Sequence, residues 1–191
     1  MVSIGSADTE APGLRHDVLA TYLPILPVGL KALVAARGAP RPYVSRVAQR
    51  VRLAELDLNR HMNQAVYAQV FERARVDWVI RSRAWKVFRD AGVNPVVGEQ
   101  KIVYRRELGP AQRYVVDTRL TGAEGRLLRF EQFLLVGDRV HSTCHAGLLP
   151  VGRSGVLRPE DAAELVLPLT SPDRLPIENW RVVAGAQPDH A

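Results

Sequence analysis

Residues Leu53 to Arg75 read LAELDLNRHMNQAVYAQVFERAR, and their character changes twice along the way. Upstream, Ser45 to Ala54 alternates Val47, Gln49, Val51 and Leu53 on one side with Arg46, Arg50 and Arg52 on the other, the pattern of a half-buried strand. In the middle, Asp57, Asn59, His61 and Asn63 stand at every second position. An extended loop sends such side chains out of one edge, about 6 to 7 Å apart, so a carboxylate, an amide and an imidazole share that edge. Downstream, apolar residues recur at helical spacing, and Asn63 suits the N-cap, accepting from the amide of Ala65 or Val66. Helix amino ends carry unpaired N–H groups and partial positive charge. Amides near Gln64 are therefore placed to polarise a carbonyl, and a carboxylate facing them suits acyl transfer.

The helix presents Tyr67, Val70, Phe71, Ala74, Trp78, Trp85 and Phe88 at spacings of three, four and seven, and the pattern predicts one long helix ended by Gly92 to Pro95. This aromatic stripe has the period of a buried face and reads as core rather than a ligand box. Glu72, Arg75, Asp77 and Arg81 form its polar side, with Asp77 and Arg81 set for an i to i+4 pair. Four strand-like runs follow: Gln100 to Leu108, Arg113 to Thr121, Arg126 to Val136 and Arg139 to Leu149. Their connections are short, the last a two-residue turn at Gly137-Asp138, so neighbours pair as antiparallel hairpins. Strand, long helix, then four strands make an α+β fold, one antiparallel sheet of about five strands with a helix on its apolar face.

Asp57-Leu58-Asn59-Arg60-His61-Met62-Asn63-Gln64, with Tyr67 and then Glu72-Arg73-Ala74-Arg75, resembles the D-x-N-x-H-x-N-N-x-x-Y signature of the hotdog-fold thioesterases. It is similar to the 4-hydroxybenzoyl-CoA thioesterase-like group and to the plant acyl-carrier-protein thioesterases. A signature of several fixed positions is far more specific than a lone glycine-rich loop. The chain departs at Gln64, where the family usually has a second Asn; Gln keeps the amide on a longer arm. The resemblance covers about Ser45 to Gly152 and implies the hotdog fold, in which the sheet wraps the helix and subunits pair. The chain is then divided into an amino-terminal segment (1–42), a thioesterase domain (43–152) and a carboxy-terminal extension (153–191).

The chain has 191 residues, enough for one domain with a full core. Its single cysteine, Cys144, excludes an internal disulfide framework, and a cytoplasmic location is the expectation. The net charge of +6 is carried almost wholly by dispersed Arg, without a basic block or interleaved aromatics, so nucleic acid is not an expected partner. Arginines suit the phosphates of a small anionic molecule. Met1 to His16 is expected to be poorly ordered and carries no secretory pattern. Val18 to Ala36 is apolar but interrupted by Pro24, Pro27, Gly29 and Lys31. It is expected to form short helices, the first capped by Asp17 and the second running from Leu30 to Arg37, packed on the domain or a partner subunit; a membrane-surface contact is the second reading and a spanning helix the third. Pro159 to Leu165 predicts a short helix and Pro168 to Val183 an irregular wrap.

Taken alone, Asp57 reads as a turn or capping residue. Beside Asn59, His61, Asn63 and Tyr67 it becomes the candidate catalytic carboxylate, either attacking a thioester carbonyl or drawing a proton from water. Asn59 would orient the carboxylate, substrate or water, and His61 either fixes the loop or assists proton transfer. Asn63, Gln64 and Tyr67 are candidate substrate-binding residues, and Glu72 is a minor candidate for a second carboxylate. His141 and His145 stand about 13 Å apart along one strand, too far to share a metal unaided, and no zinc pattern, nucleophile elbow or phosphate-binding glycine loop occurs. The expected activity is hydrolysis of an acyl-CoA or acyl-carrier-protein thioester by a homodimer or dimer of dimers, with no cofactor beyond the coenzyme A of the substrate. The rival is a non-catalytic hotdog protein that binds an acyl or lipid-like ligand, membrane-associated in one version. A hydratase on the same fold ranks third.

Overall fold

The computed structural model describes residues 26–35 and 43–170. The expectations for Met1 to His16, for Asp17 and Pro24, and for the chain beyond Thr170 fall outside these residues. In chain order the elements are α1 (Leu26–Ala35), β1 (Val44–Arg50), α2 (Gln64–Arg81), α3 (Ala84–Asp90), β2 (Asn94–Tyr104), β3 (Arg113–Glu124), β4 (Leu127–Val136), β5 (Arg139–Gly152), β6 (Gly155–Val156) and α4 (Pro159–Val166). The strands make one antiparallel sheet in the order β1-β3-β4-β5-β2, with the two-residue β6 added to β5. This is the hotdog arrangement.

Alternation along β4 shows how the sheet is divided. Leu128, Phe130, Gln132 and Leu134 are buried, while the residues between them are only partly so. The buried set meets Tyr67, Val70, Phe71, Ala74 and Trp78 of α2, the helical stripe read from sequence. Trp78 and Phe130 meet edge to face with ring centres 5.1 Å apart, and the Trp78 indole N–H donates to the carbonyl of Tyr43 at 2.8 Å. Burying each such large side chain contributes about 1.5 to 3 kcal/mol. α4 packs on β3 and β4 and adds Ala162 and Val166 to the same core.

Several expectations need correction. The long helix is two. Arg83 takes a left-handed φ of 59°, and the Ser82 hydroxyl bonds the Trp78 carbonyl at 2.7 Å, so the chain turns and restarts as α3. Trp85 consequently remains 36% exposed, although Phe88 returns to the core. Arg75 and Asp77 do not lie on a solvated face: they are 5% and 2% exposed. The predicted pair nevertheless forms, Arg81 donating to Asp77 at 2.7 Å, and burial is the main influence pushing the Asp77 carboxyl upward, opposed by Arg81. Third, Pro27 does not break α1 but occupies its second position, where no helical N–H is needed, so the helix starts at Leu26 rather than Leu30. The strand expected from Gln100 begins at Asn94 and carries an irregularity between Val97 and Glu99. Gly137-Asp138 is the two-residue hairpin turn, Gly137 at φ 58°.

α1 packs on α2 with Gly29 facing Ile80, where a Cβ would sit 3.4 Å from Cδ1. Ala32 is buried at this contact, whereas Leu30, Leu33 and Val34 face outward.

Candidate active site

After β1, a single 3-10 turn (Leu53–Glu55) leaves Leu53 80% exposed, not on the strand's buried face, and delivers the polar loop to the amino end of α2. The loop is not extended. Asp57 N–H donates to the His61 carbonyl at 2.8 Å, Arg60 N–H to the Asp57 carbonyl at 3.0 Å, and Arg60 has φ 63°. Leu56 and Met62 bridge antiparallel below it. This tight turn replaces the expected period-two edge and folds His61 back beside Asp57.

The Asp57 carboxylate organises the turn. Its Oδ1 accepts from the N–H of Asn59 at 2.9 Å and of His61 at 3.1 Å, and its Oδ2 has no hydrogen bond among the described residues. Asn63 caps α2 as its sequence predicts, Oδ1 accepting from Ala65 N–H at 2.9 Å. Gln64 opens the helix with its side chain exposed, and the Asn59 side chain is exposed too. The His61 ring reaches across to Glu107, with Nε2 3.1 Å from Oε2. Tyr67 is 3% exposed and meets Tyr104 edge to face at 5.0 Å. Its phenol is pushed up to about 12, chiefly by burial, with Tyr104 and Glu107 adding and a hydrogen bond from the Leu108 backbone opposing. It therefore stays protonated near neutral pH. The arrangement brings Asp57, His61, Asn63, Gln64 and Tyr67 to one end of α2, and Asn59 contributes its backbone.

A family model for the thioesterase-like superfamily matches residues 51–167, more than half of the chain. The chain belongs to the thioesterase-like superfamily. That membership assigns this thioesterase-like protein to thioester hydrolysis as a class. No curated protein matches the sequence. Among solved structures it is similar to the probable thioesterase YbaW of Escherichia coli, at 20% identity and TM-score 0.61 over 66% of this chain and 98% of that one. It is similar also to a DHNA-CoA thioesterase from Staphylococcus aureus, at 17% identity and TM-score 0.52 over 62% and 82%. A further Staphylococcus aureus protein, determined in complex with CoA, matches at 17% identity and TM-score 0.56 over 78% and 97%. At these identities the likeness is one of fold.

The thioesterase-like site contains residues that the sequence pattern did not single out. Tyr104 closes β2, where alternation through Ile102 and Tyr104 marks it as a strand residue but not as part of a site, and Glu107 lies beyond the strand's end, where nothing marks it. Beneath the loop, Glu55 is 7% exposed. Its carboxylate accepts from Arg52 N–H at 2.9 Å and Arg52 Nε at 3.0 Å, and its carbonyl accepts from Asn63 N–H at 2.9 Å. Arg73 of α2 stands 3.8 Å from the same carboxylate. Glu55 thus ties the start of the loop to the helix it serves. His141 lies near the other flank, its Nδ1 3.1 Å from the Glu107 carbonyl, while His145 faces the outer side of the sheet, its ring pushed down to about 4 by burial and by Lys101, Arg129 and Arg119. Among the described residues no group of three or more His, Cys, Asp or Glu is disposed to hold a metal.

Proposed function

We propose that the protein hydrolyses an acyl-CoA or acyl-carrier-protein thioester to the free acid and thiol, with Asp57 as the reacting carboxylate. The observation that carries this reading is the Asp57 carboxylate itself: one oxygen is tied to two backbone N–H groups, the other is left available, and the whole is set beside the amino end of α2. Backbone donors aimed at developing negative charge are the strongest aid to acyl transfer, and the Gln64 amide at the start of α2 would receive the carbonyl oxygen, since Ala65 N–H is taken by the Asn63 cap. Oδ2 then either adds to the carbonyl, expelling the thiolate and leaving an anhydride for water to open, or takes a proton from a water that adds instead. In either route the thiolate leaves with the electron pair of the C–S bond and gains a proton. His61, held by Glu107, would position the loop or relay that proton, and Tyr67 would line the acyl path.

Exposed Arg60, Arg105 and Arg106 flank the loop and suit the phosphates of coenzyme A. We also read the protein as cytoplasmic, and as a homodimer or dimer of dimers, the pairing supported by β2, which ends the sheet beside the site among the described residues. No helix among the described residues is long and apolar enough to cross a membrane; a surface contact through Val18 to Ala36 stays with the proposal, supported by the outward Leu30, Leu33 and Val34.

The test is thiol release from short, long and aromatic acyl-CoAs by wild type and Asp57→Asn. Asn retains the Oδ1 acceptor and hence the turn, so the loop survives while the chemistry does not. Release that falls about 10²-fold or more supports the assignment. Unchanged release sinks it, and no release by wild type favours an acyl-binding protein.

A further inference from the structure

Arg75 is 5% exposed, yet among the described residues its guanidinium hydrogen-bonds only neutral groups. Nη1 donates to the Gln132 carboxamide oxygen at 2.7 Å and lies 3.9 Å from the Cys144 sulfur, and Nη2 donates to the Gln100 carboxamide oxygen at 3.0 Å. The Cys144 thiol supplies no charge, because burial pushes it up to about 11 despite Arg75. Other buried charges are treated differently. Glu55 and Arg73, Asp77 with Arg81, and Arg119 with Glu131 each have an opposite charge within 4 Å. The Arg75 charge cannot be shed by deprotonation, and a buried charge without a counter-ion is costly. Burial works against the Arg75 charge, and the carboxylate that acts on it in its favour is Glu72, three residues back on α2 and exposed.

Two of the three partners are fixed in the core, but Gln100 is not: it is half-buried on β2, the edge of the sheet. Gln100, Ile102 and Tyr104 share one face of that strand, opposite Ala146, Cys144 and Ser142 of β5. Tyr104 touches Tyr67 at the candidate active site. From Tyr104 to Gln100 is about 13 Å along the strand, with half-buried Ile102 between, so this strand face leads from the candidate active site to the Gln100 carboxamide that Arg75 holds.

We propose that the site favours acyl groups with a carboxylate at their far end, which displaces the Gln100 carboxamide and pairs with Arg75. This rests on the thioesterase reading above. A carboxylate matches the planar guanidinium with charge-assisted bonds that a carboxamide supplies only in part. A neutral chain of equal length leaves the cation as it is and gains nothing from it.

Thiol release measured with hexanoyl-, octanoyl- and decanoyl-CoA, beside the CoA monothioesters of the dicarboxylic acids of the same lengths, tests this. For the best-fitting length, kcat/KM for the carboxylate-ended thioester is expected to exceed that for its neutral counterpart by about tenfold or more. Arg75→Met should abolish that preference, and Gln100→Ala, its folded fraction matched to wild type by urea unfolding, should raise the ratio. Wild-type release without preference, or a preference that survives Arg75→Met, overturns the inference and leaves the thioesterase reading standing. A ratio that falls in Gln100→Ala overturns it as well, for the carboxamide is then a ligand contact and not a cap. No release from either series removes the thioesterase reading and this inference with it.

Discussion

Two polar clusters touch α2, one at its amino end and one in its middle, and they are built from different materials. At the amino end the bonds run through the backbone: Asp57 and Asn63 accept main-chain N–H groups, and their side chains stay near solvent. In the middle most of the bonds run between buried side chains. Gln132, fully buried, accepts from Arg75 and donates to the Phe71 carbonyl at 2.8 Å and to Thr118 at 2.9 Å. A cluster of the first kind keeps side-chain atoms available for chemistry and adds modestly to stability. The second kind holds helix to sheet and is expensive to disturb, because each orphaned buried group keeps its desolvation cost.

The sharpest break in this comparison is Gln132→Leu, which strips Arg75, Thr118 and Phe71 of a partner at once. Urea unfolding is expected to show a loss of about 3 kcal/mol. At the other cluster, Asp57→Asn should do the reverse. Its effect of about 10²-fold or more on turnover corresponds to about 2.7 kcal/mol on the barrier, while the urea midpoint hardly moves. A large stability loss in Asp57→Asn would mean that the loop is architecture after all. Asn63→Ala sits between these cases, removing a cap that stabilises by about 1 kcal/mol and loosening the amides that face the carbonyl, so both stability and turnover should drop.

A smaller effect is expected in acid from the sheet's outer face, where His145 is held neutral. Its ring is lowered to about 4 from the ordinary 6.5, so its contribution is complete above pH 6.5 and is lost as pH falls toward 4. Comparing His145→Gln with wild type across that window should flatten part of the acid loss; identical profiles would show that the imidazole charges freely in the fold. The smallest change belongs to Arg46→Ala. The Arg46–Asp117 pair is well formed at 2.7 Å but exposed on the arginine side, and pairs of this kind contribute a few tenths of a kcal/mol.

The order of elements was legible because hydrophobic period and turn residues speak locally. The stripe Tyr67 to Trp78 and the alternation of the last strands needed no tertiary knowledge, and Asn63 announced its cap. The closed turn at Asp57 was not legible, since period-two spacing suggests an extended edge, and it is the bonds from Asp57 N–H to the His61 carbonyl and from Arg60 N–H to the Asp57 carbonyl that close it. Arg75 and Asp77 misled for a related reason. A charged residue on a helix reads as solvated until the partners that bury it are seen, and Gln132 and Cys144 lie more than fifty residues away. Glu107 and Glu55 were missed because a carboxylate at a strand end or in a turn looks like any other.

The register of β1 carries a kinetic consequence. β3, β4 and β5 are joined by tight turns and pair as neighbours, but β1 pairs with β3 across more than sixty intervening residues, Arg50 opposite Arg113. Closing so long a loop costs entropy before any contact repays it, so the hairpins should form first and β1 should zip on late. The Asp57 turn hangs directly from the end of β1. Its geometry is therefore among the last things the folding chain acquires, and pulsed hydrogen exchange should find the β1 amides protected after those of β4 and β5.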